Sequence, residues 1–347
     1  MPSRATDAAA PLKLFRDARA ALANGLILAV AVSGWLVSFA LIAQRALLPD
    51  IGGVLLCTQT MVLAAYLVHE AAHQTLFAGP RANGLAGEAM SFIAGSSYAS
   101  FERIRRMHMR HHVERVDLTY FDFQGLMRRR PWLQRGLQIL EWGYVPACEM
   151  LMHLQVVWRP FVVASQRRHL PRCAAMLLVR GALLVALGLW SPRALLLYAL
   201  AAALLLHVLN FFDAFHHTFE QHFVATERAL PLGERDRRYE QENTYSNLVS
   251  WRHPWLNVLT LNFGYHNAHH ERPSVPWFRL PALHRRLYGG ATGEPPAAVM
   301  PLSELLRTWH RNRVRRVAAD DYGVPGRGPG RADRFVGAHG VSFLTVV

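Results

Sequence analysis

The sequence predicts an all-α integral membrane protein, with four transmembrane helices in two hairpins and a helical cytoplasmic cap holding a two-metal site. Three observations predict it. Long apolar blocks alternate with basic segments, those basic segments fall on one side of the blocks, and 18 histidines in 347 residues gather into short clusters on that same side. A mean hydropathy of +0.09 with 52% apolar residues agrees with a membrane-embedded chain rather than two soluble domains. Cys57, Cys148 and Cys173 are scattered and form no C-x-x-C, which argues against a disulfide framework, a thiolate zinc site or a thioredoxin-like motif.

In chain order, residues 1–23 read as a cytoplasmic N-terminal segment, 24–317 as the membrane domain, and 318–347 as a flexible tail. Residues 24–43 and 51–68 are almost free of charge and long enough to cross ~30 Å of hydrocarbon. The first block is too long for a signal-peptide core, and no A-x-A site follows it. Residues 85–101 and 137–163 mix apolar stretches with Glu88, Glu141, Glu149 and Arg159, a pattern for helices lying along the membrane interface. Residues 173–190 and 194–212 form the second hairpin around the Ser191-Pro192-Arg193 turn. The Gly- and Pro-rich run at 323–331 has no periodic apolar face, so the tail reads as loose.

The net charge of +14 comes from 37 arginines and Lys13 against 24 acidic residues. With the amino terminus cytoplasmic, 35 of the 38 basic residues fall on the cytoplasmic side, which sets the orientation. Arg45 and Arg193 lie in the outer turns, and Arg180, inside the third apolar block, is expected to snorkel toward the cytoplasmic headgroups. Arginines that border membrane helices read as a topology signal, which excludes nucleic acid as the partner. They also suit anionic headgroups and an acidic protein.

Three histidine clusters carry the chemistry. His69 and His73 end the second apolar block as H-x-x-x-H, while His108, His111 and His112, and again His266, His269 and His270, form H-x-x-H-H. On a helix these spacings aim imidazoles from one face at one point. One H-x-x-x-H is weak, but two H-x-x-H-H runs on the same side of the membrane are not an ordinary polar surface. Asp213 and His217, four apart where the fourth block ends, repeat the pattern of His69 and His73. So many imidazoles exceed what one ion can take, and a nitrogen-rich set suits iron, zinc or copper. Glu70, Glu114, Asp117, Asp213 and Glu271 are near enough in sequence to orient liganding rings. His153, His169, His207, His284, His310 and His339 read as structural, and His222 as a candidate to support a ligand.

From residue 24 to Tyr288 the chain resembles the membrane fatty acid desaturases, whose three histidine boxes hold a di-iron centre. The boxes match in order: His69 and His73; His108, His111 and His112; His266, His269 and His270. The resemblance implies His217 as a ninth ligand, with His216 as its rival, and Asp213 at a water-linked position where the acyl-CoA branch has asparagine. The short first box and the run His269 to Pro281 resemble bacterial acyl-lipid desaturases, and that run also resembles carotenoid ketolases. His253-Pro254 is followed by Trp255, so the haem motif of a fused cytochrome b5 domain is absent.

The resemblance implies an enzyme of the bacterial inner membrane, active on its cytoplasmic side. It would use two iron ions, O2 and an external acidic donor, ferredoxin-like or cytochrome b5-like, to insert a double bond into the fatty acyl chain of a membrane lipid or another acyl substrate. A hydroxylase or ketolase acting on a lipid or carotenoid is the alternative. A non-catalytic metal-binding or metal-moving protein fits less well, because apart from Arg180 and His207 the membrane segments carry no polar path.

Overall fold

A computed structural model describes residues 14–119, 121–219, 223–224, 235–289, 298–326 and 330–338. Four helices in it are long and apolar enough to cross a membrane: α1 (Ala18–Ile42), α2 (Leu47–Ala72), a span over Ala164–Trp190 whose regular part is α3 (Leu170–Trp190), and α4 (Pro192–Asp213). Each extends beyond the apolar block that announced it. Asp17 caps α1 by accepting from the Ala20 N–H at 2.7 Å, Ser191 caps α4 through the Ala194 N–H, and Pro192 takes the first-turn position, where its missing N–H costs nothing.

The four helices differ in how they pack. The most apolar window of α2 is 72% buried, against 22% for α1, 28% for α4 and 6% for the third span, so α2 is the central one. Small residues allow close approach: a Cβ on Gly53 would stand 2.8 Å from Ile42 Cγ1, and one on Gly34 2.7 Å from Thr60 Cγ2. Between α2 and α3 come α5 (Pro80–Ala94), α6 (Phe101–Glu114), α7 (Phe123–Arg129), α8 (Pro131–Trp142) and α9 (Ala147–Val162). After α4 come α10 (Arg237–Glu242), α11 (His266–Glu271), α12 (Leu280–Tyr288) and α13 (Leu302–Arg316), and a short parallel pair joins Leu118–Thr119 to Phe223–Val224.

Two expectations change. Arg180 does not reach for headgroups: its guanidinium donates to the Phe92 carbonyl at 2.7 Å and to the Tyr198 hydroxyl at 3.4 Å, and it lies over the Phe92 ring. The segment after Ala318 is not loose over its described residues. Tyr322, Ala332 and Phe335 are buried in one cluster with Phe211, Phe215 and Leu305. Gly337 (φ +80°) permits the close pass, since a Cβ there would meet the Ala214 carbonyl at 2.5 Å. His222 and His339 lie outside the described residues.

Candidate metal centre

The boxes reach one place from three elements. The buried end of α2 supplies His69, and His73 caps it. α6, capped by Ser100, presents His108, His111 and His112 from successive turns. The six-residue α11 presents His266, His269 and His270. It is set by a tight approach just before it, where a Cβ on Gly264 would meet the Asn247 carbonyl at 2.5 Å. His217 lies four residues beyond α4, bridged to Thr244.

All nine predicted imidazoles meet, in two groups whose ligand atoms lie within 4.8 Å of one another: His69, His73, His108, His112 and His269; and His111, His217, His266 and His270. In the first group Nε2 atoms approach at 3.1 Å (His69 and His269), 2.7 Å (His73 and His108), 3.1 Å (His108 and His112) and 3.2 Å (His112 and His269). In the second they approach at 3.0 Å (His217 and His266), 3.0 Å (His217 and His270) and 3.3 Å (His111 and His270). The groups adjoin, with the His112 and His270 rings 4.4 Å apart.

Carboxylates face the outer nitrogens of three rings of the second group, and His266 Nδ1 has no partner among the described residues. Asp117 Oδ1 lies 3.2 Å from His111 Nδ1 and 3.3 Å from His217 Nδ1, and Glu240 Oε1 accepts from His270 Nδ1 at 2.9 Å. The Tyr322 hydroxyl donates to Asp117 Oδ2 at 2.9 Å, and Arg115 Nε donates to Glu240 Oε2 at 2.9 Å. Burial holds His73, His108, His112, His266 and His270 well below the ordinary imidazole range, and His269 at about 3. Burial also pulls on His111, but Asp117, the Val116 carbonyl and Glu240 outweigh it and raise that ring. Burial works against ionisation of Asp117 too, yet His217 and His111 keep it well below the carboxylate range.

These residues fit a metal. With Nδ1 of His270 on Glu240, of His217 beside Asp117, and of His111 on the Val116 carbonyl at 2.9 Å beside Asp117, these rings turn Nε2 lone pairs toward one another at 3.0 and 3.3 Å, a repulsive contact that a cation between them converts to attraction. The spacing is that of nitrogens sharing one ion, since bonds of about 2.0–2.1 Å to imidazole put neighbouring ligands roughly 3 Å apart. Neutral imidazole is also the form that binds metal.

His216 is not in either group. Its Nε2 is bonded to Asn247 Oδ1 at 2.7 Å and its ring stacks on His266 at 3.9 Å. Asp213 is in neither group, and among the described residues both of its buried oxygens are without a hydrogen-bond partner. Of the other carboxylates named from the sequence, Glu70 Oε1 stands 3.7 Å from His69 Nδ1, Glu114 pairs with Arg110, and Glu271 pairs with Arg237. Sequence reasoning missed Glu240, Arg115, Asn247 and Tyr322. Glu240 sits in the charged run Arg237 to Glu242, which reads as a solvated helix.

A helical chain with four membrane-length spans and nine converging imidazoles defines a class of membrane protein with a candidate two-metal centre. The model of the fatty acid desaturase family matches residues 46–297, most of the chain, and the protein belongs to that family. It is similar to the sphingolipid delta(4)-desaturase of Candida albicans, 35% identical over 75 residues, which is 20% of this chain and 19% of that one. It is also similar to the sphingolipid delta(4)-desaturase of Komagataella phaffii, 33% identical over 75 residues, 21% of this chain and 20% of that one. The similarity thus spans about a fifth of the length of these relatives.

Proposed function

We propose that this protein is an O2-dependent di-iron oxidoreductase that inserts a double bond into the acyl chain of a lipid. The observation that carries the reading is the meeting of nine imidazoles in two adjoining groups. Two iron ions, given O2 and external electrons, supply the oxidising power that an unactivated C–H bond demands and that side-chain acid–base chemistry lacks. The likeness to sphingolipid desaturases makes a long-chain lipid the first substrate to test.

The chain's own residues hold and shield. His69, His73, His108, His112 and His269 would hold one ion, and His111, His217, His266 and His270 the other, with Asp117 and Glu240 fixing ring tautomers. Phe263, edge-on to His69 at 4.7 Å, and Phe219, stacked on His217 at 4.5 Å, wall the site against water. Asp213, whose oxygens have no partner among the described residues, keeps the water-linked role in this reading.

In the membrane, α1 with α2 and α3 with α4 would form the two hairpins, the remaining helices a cap on the cytoplasmic face of the inner membrane. The exposed Trp132, Trp142, Trp158 and Phe161 of α8 and α9 suit the headgroup layer. The arginines of that face suit an acidic electron donor, ferredoxin-like or cytochrome b5-like.

Mass spectrometry of lipids and pigments from cells expressing wild type or His266→Ala tests this. A histidine-dependent loss of two hydrogens from an acyl chain supports the desaturase. A gain of oxygen on a lipid or carotenoid assigns the protein to hydroxylases or ketolases instead.

A further inference from the structure

The two histidine groups are supported unequally. In the four-histidine group, three rings have a carboxylate at Nδ1: His111 and His217 share Asp117, and His270 has Glu240. Among the described residues the fourth ring of that group, His266, has no partner at Nδ1, and in the five-histidine group neither His112 nor His269 has one. Glu70 Oε1 is 3.7 Å from His69 Nδ1, and its Oε2 accepts from the Thr75 hydroxyl at 2.6 Å and the Trp277 N–H at 3.1 Å. Those two bonds hold that oxygen toward the chain rather than toward a ring.

The difference has an energetic meaning. A carboxylate on Nδ1 makes the imidazole a stronger donor at Nε2 and locks the binding tautomer, so no rotation or proton shift is needed when an ion arrives. It also places negative charge close to one ion, in a buried setting where water screens little. The carboxylates are themselves anchored, Asp117 by the Tyr322 hydroxyl and Glu240 by Arg115. Tyr322 brings in the C-terminal segment: its carbonyl accepts from the Gly337 N–H at 2.8 Å, and the next residue's N–H donates to Ala214 O at 2.8 Å, three residues before His217.

We infer that the two metal positions fill in order, the group of His111, His217, His266 and His270, three of whose rings face a carboxylate, first and the other five histidines second, with Asp117, Glu240 and Tyr322 as the positioning residues that set the difference. The inference rests on the two-ion reading of the site. It makes the tighter position the one that draws on a segment beyond the last histidine box.

The test is a Co2+ titration of the full chain, purified in detergent and stripped of metal, followed by visible absorption and equilibrium dialysis. Wild type is expected to bind two ions in two resolved steps, the first tighter by about 10–100-fold. Asp117→Asn and Glu240→Gln should each weaken the first step about 10-fold or more and leave the second in place, and Tyr322→Phe should weaken the first step less. Helical circular dichroism and elution volume establish that each variant is folded, and if Asp117→Asn fails this check, Glu240→Gln decides. A single step of two equivalent ions in wild type would overturn the inference, as would equal losses at both steps in Glu240→Gln. A wild type that retains no Co2+ would overturn the metal reading itself.

Discussion

The two ends of the membrane-spanning set that feed the metal centre, α2 and α4, look alike in sequence and work differently. Each ends in a polar pair spaced by four residues, His69 with His73 and Asp213 with His217. On α2 the helix runs through His69 to Ala72 and the buried backbone itself places the rings. On α4 the helix stops at Asp213, and His217 is placed beyond it by Thr244, Asp117 and the packed C-terminal segment. A ligand inside a buried helix needs only helical geometry. One outside a helix needs partners from far along the chain.

Variants at the two ends sharpen the contrast. The largest effect is expected at Arg316, buried beside α4, which donates to Asn210 Oδ1 at 2.6 Å and to the Val336 carbonyl, while Asn210 donates to Glu149. Arg316→Ala strands that network and should cost about 3–5 kcal/mol, read as a lost or strongly lowered thermal transition in detergent. On the α2 side the weak point is packing rather than charge. Gly53→Val forces a side chain against Ile42 and Ser38 and should cost about 1–3 kcal/mol, whereas Gly181→Ala on α3, with nothing within 4 Å of its Cβ, should change stability by less than about 0.5 kcal/mol. A similar cost for both glycine variants would break the distinction between a central and a peripheral helix.

The acid response adds a smaller effect. His284 on α12 is fully buried against Trp251 and Tyr265, its ring nitrogens have no partner among the described residues, and burial lowers its pKa to about 4. The native ring stays neutral while the unfolded one takes a proton below about 6.5, so stability falls as pH drops from about 6.5 toward 4. The loss attributable to this ring is at most roughly 3 kcal/mol. His284→Phe should therefore lose less melting temperature than wild type between pH 7.5 and 5. Equal acid sensitivity in the two would remove His284 as a contributor.

The same contrast explains what the sequence made legible. Hydropathy announced four spans, and helical spacing brought together the box histidines, because both signals are local. Hydropathy did not reveal that α2 is central while α3 is peripheral, since lipid and protein interior favour the same side chains. Glu240 was hidden in a charged run, and Tyr322 in a segment without periodicity, because each acts through one non-local contact that leaves no pattern. Asp213 shows the opposite error. Its spacing from His217 suggested a shared helical face, but α4 ends between them.

The central claim is that nine imidazoles hold two ions, and the most direct measurement is the iron content of the purified chain from iron-supplied cells, with a His217→Ala and His270→Ala double variant alongside. The account predicts two irons per wild-type chain and about one in the double variant, which leaves the five-histidine group intact. Background iron in the folded wild type, or two irons still bound in the folded double variant, would contradict it.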